Sequence, residues 1–181
     1  MTLGQEALAY VDVLHNLARY LTGRGADAED LVQETYARAL LGAHQFTPGT
    51  NLKAWLFRIL RNTFISRYRR DRNNPVVTGF DTVASTVAAE EPCFFDDVEL
   101  DRLRKVVGAE IEAALMALSE DARTVVLLDL DGLTEQEVAA VMGCAPGTVK
   151  SRLARARAAL RRSLKDYASR ETWRSTTGAI K

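Results

Sequence analysis

The sequence predicts an all-α protein made of two small helical domains joined by a flexible acidic linker. Three observations lead there. Apolar residues recur at three- and four-residue spacing through most of the chain. That periodicity is lost between about Asn73 and Val98, where Asn73-Asn74-Pro75, Gly79 and Glu91-Pro92 break it. Near the C-terminal end, LTEQEVAAVMGCAPGTVKSRLARARAALRR (133–162) has the signals of a helix-turn-helix.

The elements follow in order. Tyr10, Val13, Leu14, Leu17, Ala18 and Leu21 form one face of a helix that Thr22-Gly23-Arg24-Gly25 stops. Asp27 is a plausible N-cap for the next helix, with Ala28, Leu31, Val32, Thr35 and Ala39 on its inner side. Its outer side carries Glu29, Asp30 and Glu34, and Glu34 can pair with Arg38 one turn on. Phe46-Thr47-Pro48-Gly49-Thr50-Asn51 is a loop. A long helix then runs from about Leu52 to Arg70, burying Leu52, Leu56, Ile59, Leu60 and Phe64. Its circumference interleaves Trp55, Phe57 and Tyr68 with Arg58, Arg61, Asn62 and Arg69. Aromatics beside cations can stack on unpaired bases while the charges hold phosphates. The same aromatics could instead complete the core, and one helix can do both.

A second domain begins near Leu100. Leu103, Val106, Val107, Ile111, Ala114, Leu115 and Leu118 make one amphipathic helix. Ser119 caps another, with Ala122, Val125, Val126 and Leu130 inward. In the helix-turn-helix, Thr134 and Glu137 have the spacing of a capping box, and Val138, Val141 and Met142 give the apolar face. Gly143 tolerates a left-handed stop and Pro146 pre-sets the second helix. Val149, Leu153, Ala156 and Leu160 face inward. The other face carries Lys150, Arg152, Arg155, Arg157, Arg161 and Arg162 with no carboxylate among them. Such a helix fits the DNA major groove and can read base edges. The residues from about Ser169 lack a stripe and are expected to fray. The domain boundaries read from the sequence are 1–72, 73–99 for the linker, 100–168 and 169–181 for a tail.

Charge sharpens this reading. The 181 residues hold 24 Lys and Arg against 24 Asp and Glu, a zero sum that by itself argues against a nucleic-acid partner. The distribution reverses the inference. Residues 52–72 hold Lys53, Arg58, Arg61, Arg67, Arg69, Arg70 and Arg72 against Asp71 alone, and 148–165 hold no carboxylate. Between them, 80–101 carry seven acids and no base (Asp81, Glu90, Glu91, Asp96, Asp97, Glu99, Asp101). Cys93 and Cys144 are too few for a zinc framework and too far apart for a redox motif, and His15 and His44 are isolated. No nucleophile–base pair, Gly-rich phosphate loop or metal cluster is legible, so no catalytic residue, metal or cofactor is expected. No signal segment or bilayer-length apolar run is present, which makes a cytoplasmic location without membrane insertion the expectation.

Three segments in one order, DAEDLVQETYARAL (27–40), GTNLKAWLFRILRNTFISRYRR (49–70) and LTEQEVAAVMGCAPGTVKSRLARAR (133–157), resemble bacterial sigma factors of the extracytoplasmic-function group of the sigma-70 family. The resemblance covers nearly the whole chain outside the linker and tail. It implies a promoter-specificity subunit of RNA polymerase, acting in a stress response under a cognate anti-sigma factor. Asp30, Gln33 and Glu34 would dock on core RNA polymerase. A carboxylate-rich helix face suits a basic partner, although composition alone would also allow a merely solvated face. The loop 46–51 and the following helix resemble the element that recognises and melts the minus-ten promoter DNA. Thr50 and Asn51 would offer hydrogen bonds to a flipped base, Trp55 and Phe57 stacking, and Arg58, Arg61, Asn62 and Arg69 contacts to phosphates or base edges. The C-terminal domain resembles the reader of the minus-thirty-five element, with Lys150, Ser151, Arg152 and Arg155 in the groove and Thr148 as a phosphate anchor. Arg157, Arg161 and Arg162 face either the DNA backbone or solvent. The acidic linker admits two roles, mimicry of a nucleic-acid backbone or simple tethering and solubility. Ser119 stands where such proteins often have Pro. The competing reading is a stand-alone dimeric helix-turn-helix regulator, for which the aromatic-rich third helix is unneeded.

Overall fold

The computed structural model describes residues 3–23, 25–73 and 98–177, with side chains described for 3–23, 25–70 and 106–165. The elements are α1 (Leu3–Leu8), α2 (Val11–Thr22), α3 (Gly25–Leu41), a 3-10 turn (Ala43–Gln45), α4 (Leu52–Asn73), α5 (Val98–Met116), α6 (Glu120–Leu130), α7 (Glu135–Met142) and α8 (Pro146–Thr177). No strand occurs among the described residues. Most of the acidic stretch expected to link the halves lies outside them, as does Cys93.

Local chemistry sets the helix ends. Gly23 closes α2 at φ 70° and returns its N–H to the Arg19 carbonyl, a conformation that costs glycine little. Asn51 starts α4, its Oδ1 accepting from the Ala54 N–H at 3.2 Å. Ser119 caps α6, accepting from Ala122 N. The capping box of α7 is present in both directions: Glu137 N donates to Thr134 Oγ1, and Thr134 N to Glu137 Oε2 at 2.8 Å. Gly143 ends α7 at φ 64°, and Pro146 opens α8 as the sequence predicts.

Five details depart from the sequence reading. Asp27 is not the N-cap of α3; the helix begins at Gly25, which leaves Asp27 in the first turn, where its charge suits the helix dipole. A short α1 precedes the first expected helix, held by Ala7, whose carbonyl accepts from the Tyr36 hydroxyl at 2.7 Å. Val106, Val107 and Ile111, expected inside, are 43–45% exposed; among the described side chains of α5, burial falls at Ala114 and Leu115. Leu130, also expected inside, ends α6 at 72% exposure, and Leu127, Leu128 and Leu133 fill the core instead. The backbone of α8 continues past Ser169 to Thr177, since no Gly or Pro interrupts it before Gly178.

The two halves pack on each other. α2, α3 and α4 form one helical layer, α6, α7 and α8 another, and α4 meets α7 while α2 meets α6. A single apolar cluster runs through both, from Leu14, Leu17, Leu31, Leu56 and Leu60 to Val125, Leu128, Val138, Val149 and Leu153. The buried hydroxyls of Thr35, Thr63 and Thr124 each donate to the carbonyl four residues back, so their burial leaves no polar group unpaired.

No heavy atom lies within 4 Å of a Cβ built on Gly143, so a side chain there meets only backbone strain. Gly143→Ala is expected to lower stability by about 1 kcal/mol, read as a shifted urea midpoint with helix content unchanged.

Candidate nucleic-acid and polymerase interfaces

The recognition helix α8 is held by Val149, Leu153 and Ala156, all buried. That burial turns Lys150, Ser151 and Arg155 outward, where all three are exposed, with Thr148 half-buried beside them. Ser151 Oγ donates to the Thr148 carbonyl at 3.0 Å, and Arg155 Nε to the Ser151 carbonyl at 3.2 Å. These contacts stay within α8 and leave most of the Arg155 guanidinium for a base edge or phosphate. Arg152 is different. It is half-buried, ion-paired to Asp121 at 2.8 Å, with its other nitrogen 3.9 Å from Cys144 Sγ. Arg157 is paired to Asp129 at 2.7 Å.

On α4, Trp55, Arg58, Asn62 and Arg69 fall at intervals of three, four and seven residues, which places them on one stripe. Arg58, Asn62 and Arg69 are exposed and Trp55 is half-exposed. The Trp55 ring lies 5.3 Å from the Phe46 ring, tilted at 53°, a geometry aromatic pairs favour. That pair braces the loop before α4, where Thr50 Oγ1 donates to the Thr47 carbonyl at 2.7 Å.

A second stripe, Lys53, Phe57 and Arg61, faces the C-terminal half. Lys53 Nζ donates to the Asp131 carbonyl at 2.6 Å, lies 3.6 Å from its carboxylate and sits over the Phe57 ring. Arg61 reaches Asp121 at 3.4 Å. Between these two, Phe57 has no exposed surface. Asn51 closes the same seam, its Nδ2 donating to Glu137 Oε1 at 2.7 Å. Thus Arg61 from one half and Arg152 from the other converge on one carboxylate, Asp121. Arg123 ties the far side: its guanidinium donates to the carbonyls of Leu115, Met116 and Leu118 at the end of α5 and to that of Tyr20 in α2. Nothing in the sequence marked Asp121, Arg123 or Asp131, and Lys53 stood out only as one cation of a basic run, because each acts across a pairing of halves that periodicity does not encode.

On α3, Asp30 and Gln33 are exposed at one face. Glu34 beside them is held by two guanidinium groups, Arg38 at 2.7 Å and Arg67 at 2.6 Å. Burial pushes the Glu34 carboxyl up, but the hydrogen bonds from Arg67 and Arg38 outweigh it and hold the group below its ordinary value. Glu137 is likewise lowered, first by the Thr134 backbone N–H and then by Asn51. Asp131 moves the other way, since its burial outweighs the attraction of Lys53. No helix among the described residues is long and apolar enough to cross a membrane.

A helix-turn-helix with a cationic outer face, on the same chain as a helix striped with cations and an aromatic, defines a class of two-part promoter-reading proteins. The comparisons with known proteins agree. Residues 7–74 match the family described as Sigma-70 region 2, and residues 108–160 match Sigma-70, region 4. The chain is 37% identical to the ECF RNA polymerase sigma factor EcfG of Rhodopseudomonas palustris (strain TIE-1), over 98% of this chain and 96% of that one. It is 30% identical to the ECF RNA polymerase sigma factor SigW of Bacillus subtilis (strain 168), over 87% and 86%. Among solved structures, it resembles the sigma factor RpoE in complex with the anti-sigma factor NepR from Bartonella quintana (TM-score 0.67, 36% identity, 89% and 95% covered). CnrH in complex with the cytosolic domain of CnrY also resembles it (TM-score 0.60, 27% identity, 91% and 88% covered). The chain belongs to the extracytoplasmic-function sigma factors of the sigma-70 family. A stand-alone dimeric regulator is not favoured, since the match includes region 2 as well as the helix-turn-helix.

Because Glu34 and Glu137 have folded values below the ordinary 4.5, the stability they contribute is present above about pH 4.5 and lost as pH falls through their lower folded values. Urea midpoints measured from pH 6 down to pH 3 are expected to fall, and Glu137→Gln is expected to flatten that acid limb.

Proposed function

We propose that this chain is the subunit that binds core RNA polymerase and directs it to a promoter read at two places, acting in the cytoplasm without catalytic chemistry of its own. The exposed stripe Trp55, Arg58, Asn62 and Arg69 on α4 carries the reading. It supplies stacking surface and positive charge on a rigid helix, as a separated DNA strand requires. Thr50, already exposed, extends this surface toward the minus-ten element, as do Asn51, Phe57 and Arg61 once their contacts with the C-terminal half are released. Thr148, Lys150, Ser151, Arg152 and Arg155 read the minus-thirty-five element from α8. Asp30 and Gln33 dock on polymerase, and Glu34 supports that face through Arg38 and Arg67 as much as it contacts the partner. In functional units, residues 1–72 bind polymerase and melt DNA, and 100–168 read the upstream element. The solved relatives in complex with anti-sigma proteins support control of this chain by a partner of that kind.

The test is co-elution with bacterial core RNA polymerase on a sizing column, followed by promoter-dependent transcription from the shared peak. Specific transcripts are expected from that peak. A chain that elutes alone and still binds duplex tightly and sequence-specifically overturns the proposal. Asp30→Lys is expected to weaken polymerase binding at least tenfold, with the far-UV spectrum unchanged. Arg155→Ala is expected to leave polymerase binding intact while lowering promoter-specific transcription about five- to 150-fold, the worth of a lost bidentate base contact of about 1–3 kcal/mol.

A further inference from the structure

We propose that Arg152 is a positioning residue, which fixes the angle at which α8 meets the minus-thirty-five element and touches no base itself. The inference rests on the promoter reading above and refines the part of Arg152 in it. Arg152 stands three residues after Val149 and four before Ala156, both buried, so it leaves α8 beside the inward stripe and not among Lys150, Ser151 and Arg155. Those three are exposed, whereas the Arg152 side chain keeps 27% of its surface. Both arms of its guanidinium are engaged. One terminal nitrogen pairs with Asp121 Oδ2 at 2.8 Å, and the other lies 3.9 Å from Cys144 Sγ. Asp121 is in the first turn of α6, and Cys144 directly follows the Gly143 stop of α7. One planar fork therefore joins the start of α6, the turn and the start of α8, the three pieces whose placement sets the helix-turn-helix. Apolar burial holds α8 on the domain without direction; a charge-assisted fork of fixed geometry supplies the direction. The Asp121 pair lies wholly within the C-terminal half; the other oxygen, Oδ1, faces Arg61 at 3.4 Å. Bidentate readout of a guanine takes two nitrogens on one base, and Arg152 has each of its terminal nitrogens on a protein group. Arg155 spends only Nε inside α8.

The test uses core RNA polymerase loaded with the full-length chain, on the promoter that gives specific transcripts with the wild type. The variants are Asp121→Asn, Arg152→Gln, the two together and, as a charge-matched control, Asp129→Asn, which lies on the same helix as Asp121 but pairs with Arg157. Three quantities are read: the promoter concentration at half-maximal initiation, the maximal rate, and the cost of each single base-pair substitution across the upstream element. Relative to Asp129→Asn, the Asp121→Asn variant is expected to raise the half-saturating concentration about threefold with the maximal rate unchanged. Loss of a negative charge alone would lower that concentration. Arg152→Gln is expected to raise it at least as much, and the double variant no further than Arg152→Gln, because both changes break one contact. Substitution costs are expected to shrink together at all positions in each of these variants. A cost erased at one base pair by Arg152→Gln and kept by Asp121→Asn overturns the proposal, since Arg152 then reads that base directly. So does a double variant in which the two losses multiply, or an Asp121→Asn variant indistinguishable from Asp129→Asn. If the wild type yields no specific transcripts, the promoter reading fails first and this inference with it.

Discussion

Helix α4 must be covered on two sides. Its Leu52, Leu56 and Leu60 form one buried stripe, and such a stripe alone would make an ordinary surface helix. Phe57 lies a hundred degrees around from Leu56, on the stripe whose Lys53 and Arg61 bond to the C-terminal half. A fully buried Phe is worth about 1.5–3 kcal/mol relative to exposure, more than any one ion pair around it. The position of α7, the convergence on Asp121 and the continuity of the apolar cluster all follow from covering that second stripe.

The polar contacts of the seam are weaker. Asp121 is 42% exposed against Arg61 and Arg152, and pairs this open to solvent contribute about 0–1 kcal/mol each. Burial outweighs Lys53 in setting the Asp131 carboxyl, so that pair adds register more than strength. Arg123 does more, since one planar guanidinium donates to carbonyls at and just past the end of α5 and reaches the Tyr20 carbonyl in the other half. The contact between the halves thus rests on the shared apolar cluster, which includes Phe57, and on Arg123, more than on the screened pairs.

Most of the fold was legible because most helices carry an apolar stripe and several carry their own start or stop. The capping box at Thr134 and Glu137, the Gly143 stop and the Pro146 start lie where their spacing places them. What the stripe cannot report is which side of a helix a distant element covers. Val106, Val107 and Ile111 obey helical periodicity and are nevertheless exposed, while the described buried residues of α5 are Ala114 and Leu115. Phe57 admitted two uses in the sequence, stacking or core, and the closed chain takes the second. The exposure of Arg58, Asn62, Arg69, Lys150 and Arg155 could be read from charge and spacing. Their carboxylate partners could not, because Asn51 and Glu137 lie 86 residues apart and no local rule joins them.

The two oxygens of Glu137 serve different masters. Oε2 receives the backbone and hydroxyl of Thr134, and Oε1 receives Asn51. Losing the second leaves the first intact, so the halves can part while α7 keeps its start and α8 its footing. The chain then meets DNA with its reading helix already folded, and the ordering entropy that a disordered binder surrenders on contact has been settled in advance.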